Sequence, residues 1–308
     1  MIFILSFFLF LGGLIYGMYL LRFGLLNLST NTFRKWLINL TDTYWKGLLL
    51  GTFISVFFQN GSIVMVITVG LVAARMLSFP QSFGVILGAN IGSTIKIELI
   101  TTHFQGYVVL LAFIGAILCL IKNRNSISIG YALMGISLLF GALWGFEMIG
   151  PPISGLKYVS NMFLNADHNK FFSILTGTTF TAIVQSVNVL NGITVDFLSI
   201  GGIDLSAGVA FILGGNMGAC VTVLLATIGS GKKAWLTAFA YTWLNVLGVA
   251  LFYPLIDILA SIGINLSAHP DIQLAHINII FNVILSLVVL PFSNQFVKLI
   301  QKIHKQIT

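Results

Sequence analysis

Long apolar runs separated by short polar loops dominate the chain. Runs of this length approach the roughly 20 residues that an α-helix needs to span a bilayer. They do not alternate apolar and polar positions, as the strands of a transmembrane barrel would. The pattern therefore predicts an all-α polytopic membrane protein. The apolar segments fall at roughly 1–21, 47–74, 83–101, 106–121, 129–149, 172–200, 207–228, 235–259 and 273–291.

The composition excludes a water-soluble protein. Of the 308 residues 57% are hydrophobic and only 7% are charged, whereas a soluble domain carries about 25% charged residues. The net charge of +7 comes from scattered loop residues, which do not form the basic face of a nucleic-acid-binding protein. Cys119 and Cys220 lie in apolar segments and read as buried thiols. The N-terminal run has no basic residue before Arg22, so it reads as a first spanning helix and not as a cleavable signal peptide.

The basic residues predict the orientation in the cell membrane. Loops 101–106 and 260–272 have no Lys or Arg, and 150–171 has only two. Basic residues concentrate on the cytoplasmic side of membrane proteins. We therefore expect an extracellular N-terminus and a cytoplasmic C-terminus. The basic loops are 22–46, 122–128, 229–234 and the C-terminal tail from Lys298.

This orientation requires two unusual segments. Residues 47–100 must cross the membrane once outward, and residues 172–228 must cross once inward. Each segment is too long for a single span. Two spans would return the chain to the side on which it started, which the orientation does not allow. A re-entrant hairpin followed by one crossing fits both, and the polar stretch Gln59–Ser62 would form the first hairpin tip. Non-helical backbone at that depth is tolerated where it is buried in protein or lines a wet cavity.

The two segments are copies of each other. A shift of 126 residues places "GTFISVFFQ", which ends at Gln59, on "GTTFTAIVQ", which ends at Gln185. The same shift places "ILGANIG" on "ILGGNMG". With opposite net crossings these copies form an inverted-topology repeat, an architecture typical of secondary transporters. We expect repeat halves at 1–128 and 129–234, with core motifs at 47–100 and 172–228, followed by C-terminal helices and a tail at 235–308.

Each repeat contains two polar interruptions that suggest binding sites. We expect the glycines of Gly88–Thr94 and Gly214–Cys220 to let the helix unwind there. An exposed helix N-terminus binds anions, and amide or hydroxyl oxygens suit a small hard cation. The alternative is that these residues only hold helices together. The candidate binding residues are Gln59, Asn60, Ser62, Asn90, Ser93, Thr94, Gln185, Ser186, Asn188 and Asn216.

These motifs resemble those of the bacterial sodium-dependent phosphate cotransporters related to the type II sodium–phosphate cotransporters. That family carries Gln-Ser-Ser-Ser in each repeat, followed by Gly-Ala-Asn-Ile-Gly-Thr-Thr. Here the tips are "QNGS" and "QSVN", and the later motifs are "GANIGST" and "GGNMGAC". The resemblance implies sodium-coupled phosphate symport by alternating access, with substrate and ions bound between the two hairpin tips. It also implies sodium ligands among Gln59, Ser62, Gln185 and Ser186, and no other cofactor.

Several readings remain open beside this one. Lys96 follows "GANIGST" and either snorkels near a helix end or replaces a bound cation. Asp196 is a possible coupling carboxylate or a helix-end residue, and Glu147 reads as interfacial. Asp257 is positioned to pair across helices. The alternatives are a diverged carrier or exporter of another small anion, sodium-independent where Lys96 replaces the cation, and an ion channel. We expect no enzyme, because the sequence has no catalytic or metal-ligand motif.

Overall fold

The computed structural model describes residues 2–28, 31–95 and 105–304, and these are largely helical with no strand among them. Short 3₁₀ turns at Tyr253–Leu255 and Leu290–Phe292 join the helices on either side. In chain order the α-helices are α1 Ile2–Asn27, α2 Asn31–Leu40, α3 Tyr44–Phe58, α4 Gly61–Ala73, α5 Phe79–Thr94, α6 Gln105–Leu120, α7 Arg124–Ser154, α8 Lys157–Ala166, α9 Lys170–Val184, α10 Val187–Ser199, α11 Leu205–Gly218, α12 Cys220–Ala226, α13 Lys232–Phe252, α14 Ile256–Leu266, α15 Pro270–Val289 and α16 Ser293–Ile303.

Five helical stretches in the described part are long and apolar enough to cross a bilayer. Large apolar side chains also stay exposed on the helices: Phe53 is 72% exposed and Leu120 is 83% exposed. Such a surface suits lipid and not water. The predicted all-α polytopic membrane protein is thereby confirmed. The five stretches are Phe3–Asn27, Arg124–Gly150, Leu205–Ala226, Lys232–Leu266 and Pro270–Ile303.

The helices flanking the predicted tips are shorter than a membrane span. Helices α3 and α9 each have 15 residues, and α4 and α10 each have 13. At 1.5 Å per residue they reach only about 20–22 Å, against a hydrocarbon core of about 30 Å. Their length suits the arms of re-entrant hairpins, and the re-entrant course itself stays a prediction.

The chain divides into two compact units. The first consists of residues 1–144, 223–241 and 286–308, and the second of residues 145–222 and 242–285. The first unit contains helices α3 to α5, and the second contains helices α8 to α11. Helices α3 to α5 of the first repeat copy and α9 to α11 of the second therefore each lie within a single unit.

Aromatic side chains form part of the core of each unit. In the first unit the buried ring of Phe83 stacks on Phe296 at a centroid distance of 4.9 Å. In the second unit Phe163 is fully buried, and its ring centroid lies 5.5 Å from that of Phe180 and 4.8 Å from that of Phe211. Rings at these separations attract each other beyond the burial of their area, and they fix α9 and α11 around α8.

The structural elements repeat with the same 126-residue shift as the sequence. Adding 126 to the bounds of α3 and α4 gives the bounds of α9 and α10, and adding it to the start of α5 gives the start of α11. The N-cap residues also correspond: Ser78 caps α5 and Asp204 caps α11. The internal duplication therefore extends from residues to helices. The opposite orientation of the two copies in the membrane stays a prediction.

Glycines let the first and third helices of each copy touch through their backbones. A Cβ atom at Gly88 would lie against the carbonyl oxygen of Leu48, and one at Gly214 would lie against that of Ile174. A threonine bridges each contact. The Thr52 hydroxyl donates to the Gly88 carbonyl at 3.2 Å, and the Thr178 hydroxyl donates to the Gly214 carbonyl at 3.1 Å. These backbone contacts hold α3 on α5 and α9 on α11.

The expected unwinding at the second motifs is wrong for the first repeat. Helix α5 continues without interruption to Thr94. In the second repeat α11 continues to Gly218, and only Ala219 separates it from α12. Gly88, Gly92, Gly214 and Gly218 each face a neighbouring backbone that leaves no room for a side chain. These glycines therefore serve close packing and not unwinding.

Candidate functional site

The first predicted tip is a two-residue break between α3 and α4. Gln59 ends α3 in the left-handed region, with φ 51° and ψ 21°. Asn60 then extends the chain and caps α4, because its side-chain oxygen accepts from the backbone N–H of Ile63 at 3.2 Å. Ser62 is the second residue of α4. The capping asparagine turns the chain and starts the next helix without a longer loop.

The second predicted tip repeats this geometry. Gln185 ends α9 with φ 61° and ψ 21°, and Ser186 caps α10 by accepting from the N–H of Val189 at 3.4 Å. Gln185 is only 5% exposed. Its amide nitrogen donates to the Ala182 carbonyl, while its side-chain oxygen is buried without a partner in the described part of the chain. A buried oxygen in this state is suited to a ligand.

The end of α5 lies against the first tip. A Cβ atom at Gly61 would lie 2.8 Å from the Ser93 Cβ and 3.2 Å from its hydroxyl oxygen. Ser93 and Thr94 donate their hydroxyls to carbonyls of their own helix, at 2.9 and 2.7 Å. Asn90 is buried, and its amide nitrogen finds no acceptor among the described residues. The structure therefore brings the first tip and Ser93 into contact, with an unused donor one turn of α5 earlier.

The corresponding asparagine of the second repeat has a different role. The Asn216 amide donates to the Ile212 carbonyl at 3.0 Å and to the Asn278 side-chain oxygen at 3.2 Å. Asn282 donates to the same Asn278 oxygen at 2.9 Å. This ladder of amides joins α11 to α15 within the second unit. The hydrogen bonds of Asn216 match the helix-packing alternative better than a ligand role.

A carboxylate contacts the second tip. Asn188, the second residue of α10, donates its side-chain amide to Glu147 Oε1 at 3.0 Å. One turn further along α7, a Cβ atom at Gly150 would lie 2.9 Å from the Cβ of Val189. The sequence predicted only that Glu147 lies at the membrane–water interface, and it gave no sign of this contact. Because Glu147 lies 41 residues from Asn188 and outside both core motifs, no motif spacing connects the two.

Asp196 and Asp257 lie away from the tips. Asp196 is exposed in the last turn of α10, eight residues beyond Asn188, or about 12 Å along the helix. Asp257 does pair across helices, as expected, with Lys170 as an ion pair and with the Ser206 hydroxyl at 3.0 Å. Lys96 lies outside the described residues.

The two breaks offer the same binding chemistry. Each exposes the N-terminus of a 13-residue helix, α4 or α10, whose first N–H groups and dipole attract an anion. Each also carries amide and hydroxyl oxygens that can coordinate a hard cation. Comparable ion sites in secondary transporters are built from interrupted helices.

Comparisons with known proteins give one family for most of the chain. The model of the Na⁺/Pi-cotransporter family matches residues 14–148 and 154–269. The uncharacterized protein YqeW of Bacillus subtilis (strain 168) is 32% identical over 285 residues, which cover 92% of both chains. No solved structure gives a significant match.

Two more distant relatives have names that refer to phosphate. The putative inorganic phosphate export protein YjbB of Escherichia coli (strain K12) is 20% identical over 91% of this chain and 52% of its own length. The present chain thus spans about half the length of YjbB. The sodium-dependent phosphate transport protein 2A of Rattus norvegicus is 27% identical over 89 residues, or 28% of this chain and 14% of its own length.

Proposed function

This chain belongs to the Na⁺/Pi-cotransporter family, and from that premise we propose that it is a sodium-coupled carrier of inorganic phosphate. The family is one of transporters and not of enzymes. Transport would follow alternating access, in which the polar breaks face one side of the membrane and then the other. Phosphate and sodium are then the small-molecule partners, and the bilayer is the surrounding solvent.

The observation that carries this proposal is the duplicated break. Gln59 and Gln185 share one left-handed conformation, and each directly precedes a capped helix N-terminus. Two interrupted helices with matching polar residues suit a binding site better than structural contacts alone, because packing would not require a glutamine directly before a helix start in both copies. The arrangement also suits a carrier better than a channel, since a pore rarely needs this many amides at the tips.

We assign the ligands by their chemistry. The N–H groups at the start of α4, with the unpaired amide of Asn90, are donors that suit the phosphate oxygens. Ser93 and Thr94 add hydroxyls on the same helix end. The side-chain oxygens of Gln59, Ser62, Gln185 and Ser186 are the sodium ligands of the proposal. Asn60, Asn188 and Asn216 position these groups by capping or by contacts with neighbouring helices.

Uptake of radiolabelled phosphate into proteoliposomes tests the function. We expect an inward Na⁺ gradient to increase the initial rate and the accumulated phosphate, compared with an equal K⁺ gradient. Uptake that is equal in Na⁺ and K⁺ would contradict sodium coupling and favour a sodium-independent carrier in which Lys96 takes the place of a cation. Absence of phosphate flux under both conditions would contradict the substrate.

Phosphate export is a second candidate, favoured by the name of the YjbB relatives. Cells that overproduce the protein would then release preloaded labelled phosphate faster than cells with an empty vector. An increased rate of entry from the medium, with no change in release, would favour import. The family and the proposed site are compatible with both directions.

A further inference from the structure

The contact between Glu147 and Asn188 gives the second tip a negative charge that the tip sequence does not contain. Glu147 belongs to α7, and its Oε1 accepts from the Asn188 amide at 3.0 Å. Gly150 packs on Val189, the residue that follows Asn188. The end of α7 is therefore placed along the first turn of α10, and the carboxylate lies at the start of that helix.

The carboxylate has no cationic partner in the described part of the chain, where the ion pairs are Lys46–Asp42 and Lys170–Asp257. An unpaired carboxylate is costly in contact with lipid. Since Asn188 is exposed and Glu147 is half-buried, their shared surface suits water. A positive helix end attracts this charge, so the simplest role of Glu147 is to stabilise α10. That role alone does not explain why the side-chain oxygen of the neighbouring Gln185 is buried without a partner in the described structure.

The buried glutamine supplies the second, independent observation. Gln185 precedes the capping residue of α10, and its side-chain oxygen is buried without a partner among the described residues. Gln185 is 5% exposed and Ser186 is 4% exposed. A carboxylate, an amide oxygen and a hydroxyl around one helix start are hard oxygen ligands, which suit a small cation. The same carboxylate repels phosphate.

We propose that Glu147 is the anionic ligand of a sodium site at the second tip, completed by Gln185 and Ser186. The inference rests on the proposed function and deepens it, because it assigns this tip to the cation and leaves the anion to the N-terminus of α4. It also explains how the second tip binds a cation although it retains one serine, Ser186, in the stretch from Gln185 to Asn188.

Thermal unfolding of the full-length protein in detergent tests the site without transport. The melting temperature is measured while NaCl replaces KCl at constant ionic strength. We expect Na⁺ to raise it in a saturable way in the wild type. Glu147→Gln keeps the shape and removes the charge, and it should raise the half-saturating Na⁺ concentration by about tenfold or more. In Glu147→Asp, which keeps the negative charge, Na⁺ should still raise the melting temperature in a saturable way.

Asp271→Asn is the matched control, because it removes one carboxylate from an exposed position in the first turn of α15 in the same unit. It should leave the half-saturating Na⁺ concentration unchanged. A purely structural Glu147 would give a different result: Glu147→Gln would lower the melting temperature equally in Na⁺ and K⁺ and would not change the half-saturating concentration. That result overturns the assignment.

Phosphate exchange in proteoliposomes separates this inference from the proposed function. If wild-type protein exchanges phosphate but shows no response to Na⁺, the sodium site is wrong and the phosphate carrier stands. If Na⁺ raises the melting temperature of the wild type, of Glu147→Asp and of Asp271→Asn but not that of Glu147→Gln, the sodium site is supported. This conclusion holds even if the wild type shows no phosphate flux, a result that would contradict phosphate as the substrate.

Discussion

At the scale of single residues, Gln59 and Gln185 stand in a backbone conformation that favours glycine. Their φ values are 51° and 61°. The left-handed region costs a residue with a side chain roughly 1–2 kcal/mol relative to the right-handed one, whereas glycine adopts it freely. The turn alone does not require glutamine. The proposed function accounts for the amide at both positions as a ligand-binding group.

A pair of hydroxyls at corresponding positions tests the packing between the repeat helices. The Ser55 hydroxyl donates to the Ala89 carbonyl at 3.0 Å, whereas the Thr181 hydroxyl is buried without a partner in the described structure. Ser55→Ala should lower the free energy of unfolding by about 0.5–1.5 kcal/mol, because it removes a hydrogen bond. Thr181→Val should have no effect or be stabilising.

Melting temperatures of the two variants in one detergent measure this difference. An equal loss of stability in both variants would show that the Thr181 hydroxyl has a partner. A loss of phosphate flux in Thr181→Val at unchanged stability would instead place that hydroxyl among the ligands.

Glu147 shows the limit of sequence reasoning at this scale. The tip residues were predictable because each is duplicated at a fixed spacing. Glu147 is not duplicated, and its contact with Asn188 depends on how α7 packs on α10. Only the folded chain brings the two side chains together.

At the scale of helices, the glycines of the second motifs decide how closely α5 and α11 pack. Gly88→Ala and Gly214→Ala would each place a methyl group against a backbone carbonyl. Each should lower the free energy of unfolding by about 1–3 kcal/mol, the usual cost of overpacking. The melting temperature and the yield of folded protein measure the effect.

Gly12 and Gly192 provide controls on exposed helix surfaces, since a Cβ atom at either would meet nothing within 4 Å. Gly12→Ala and Gly192→Ala should be neutral or stabilising by about 0.5–1 kcal/mol, because alanine is the better helix former. Equal melting temperatures for Gly88→Ala and Gly12→Ala would contradict the close backbone packing.

The same glycines explain which element the sequence reading placed wrongly. Glycine is used both where a helix unwinds and where two helices touch, and the motif "GANIG" is compatible with either use. The break at Gln59 was predictable because polar residues interrupt two apolar runs. The continuity of α5 was not, since it depends on the backbone of α3 lying directly against Gly88.

At the scale of the whole molecule, the sequence duplication and the compact units divide the chain differently. Helices α3 to α5 lie within one unit and α9 to α11 within the other, yet α7, α12, α13 and α15 each contain residues of both units. The apolar pattern predicted the helical class because long apolar runs have few alternatives in a membrane. It could not predict this division, which depends on contacts between helices far apart in sequence.

Exchange of radiolabelled for unlabelled phosphate across proteoliposome membranes tests the central claim most directly, that Gln59 and Gln185 of the duplicated tips are ligand-binding residues of a phosphate carrier. Gln59→Gly and Gln185→Gly keep the left-handed turn and remove the amide. We predict rapid exchange by the wild type and by Gly12→Ala, and loss of exchange by both glutamine variants although each still gives folded protein in the membrane. Wild-type exchange rates in the two glutamine variants would contradict the account.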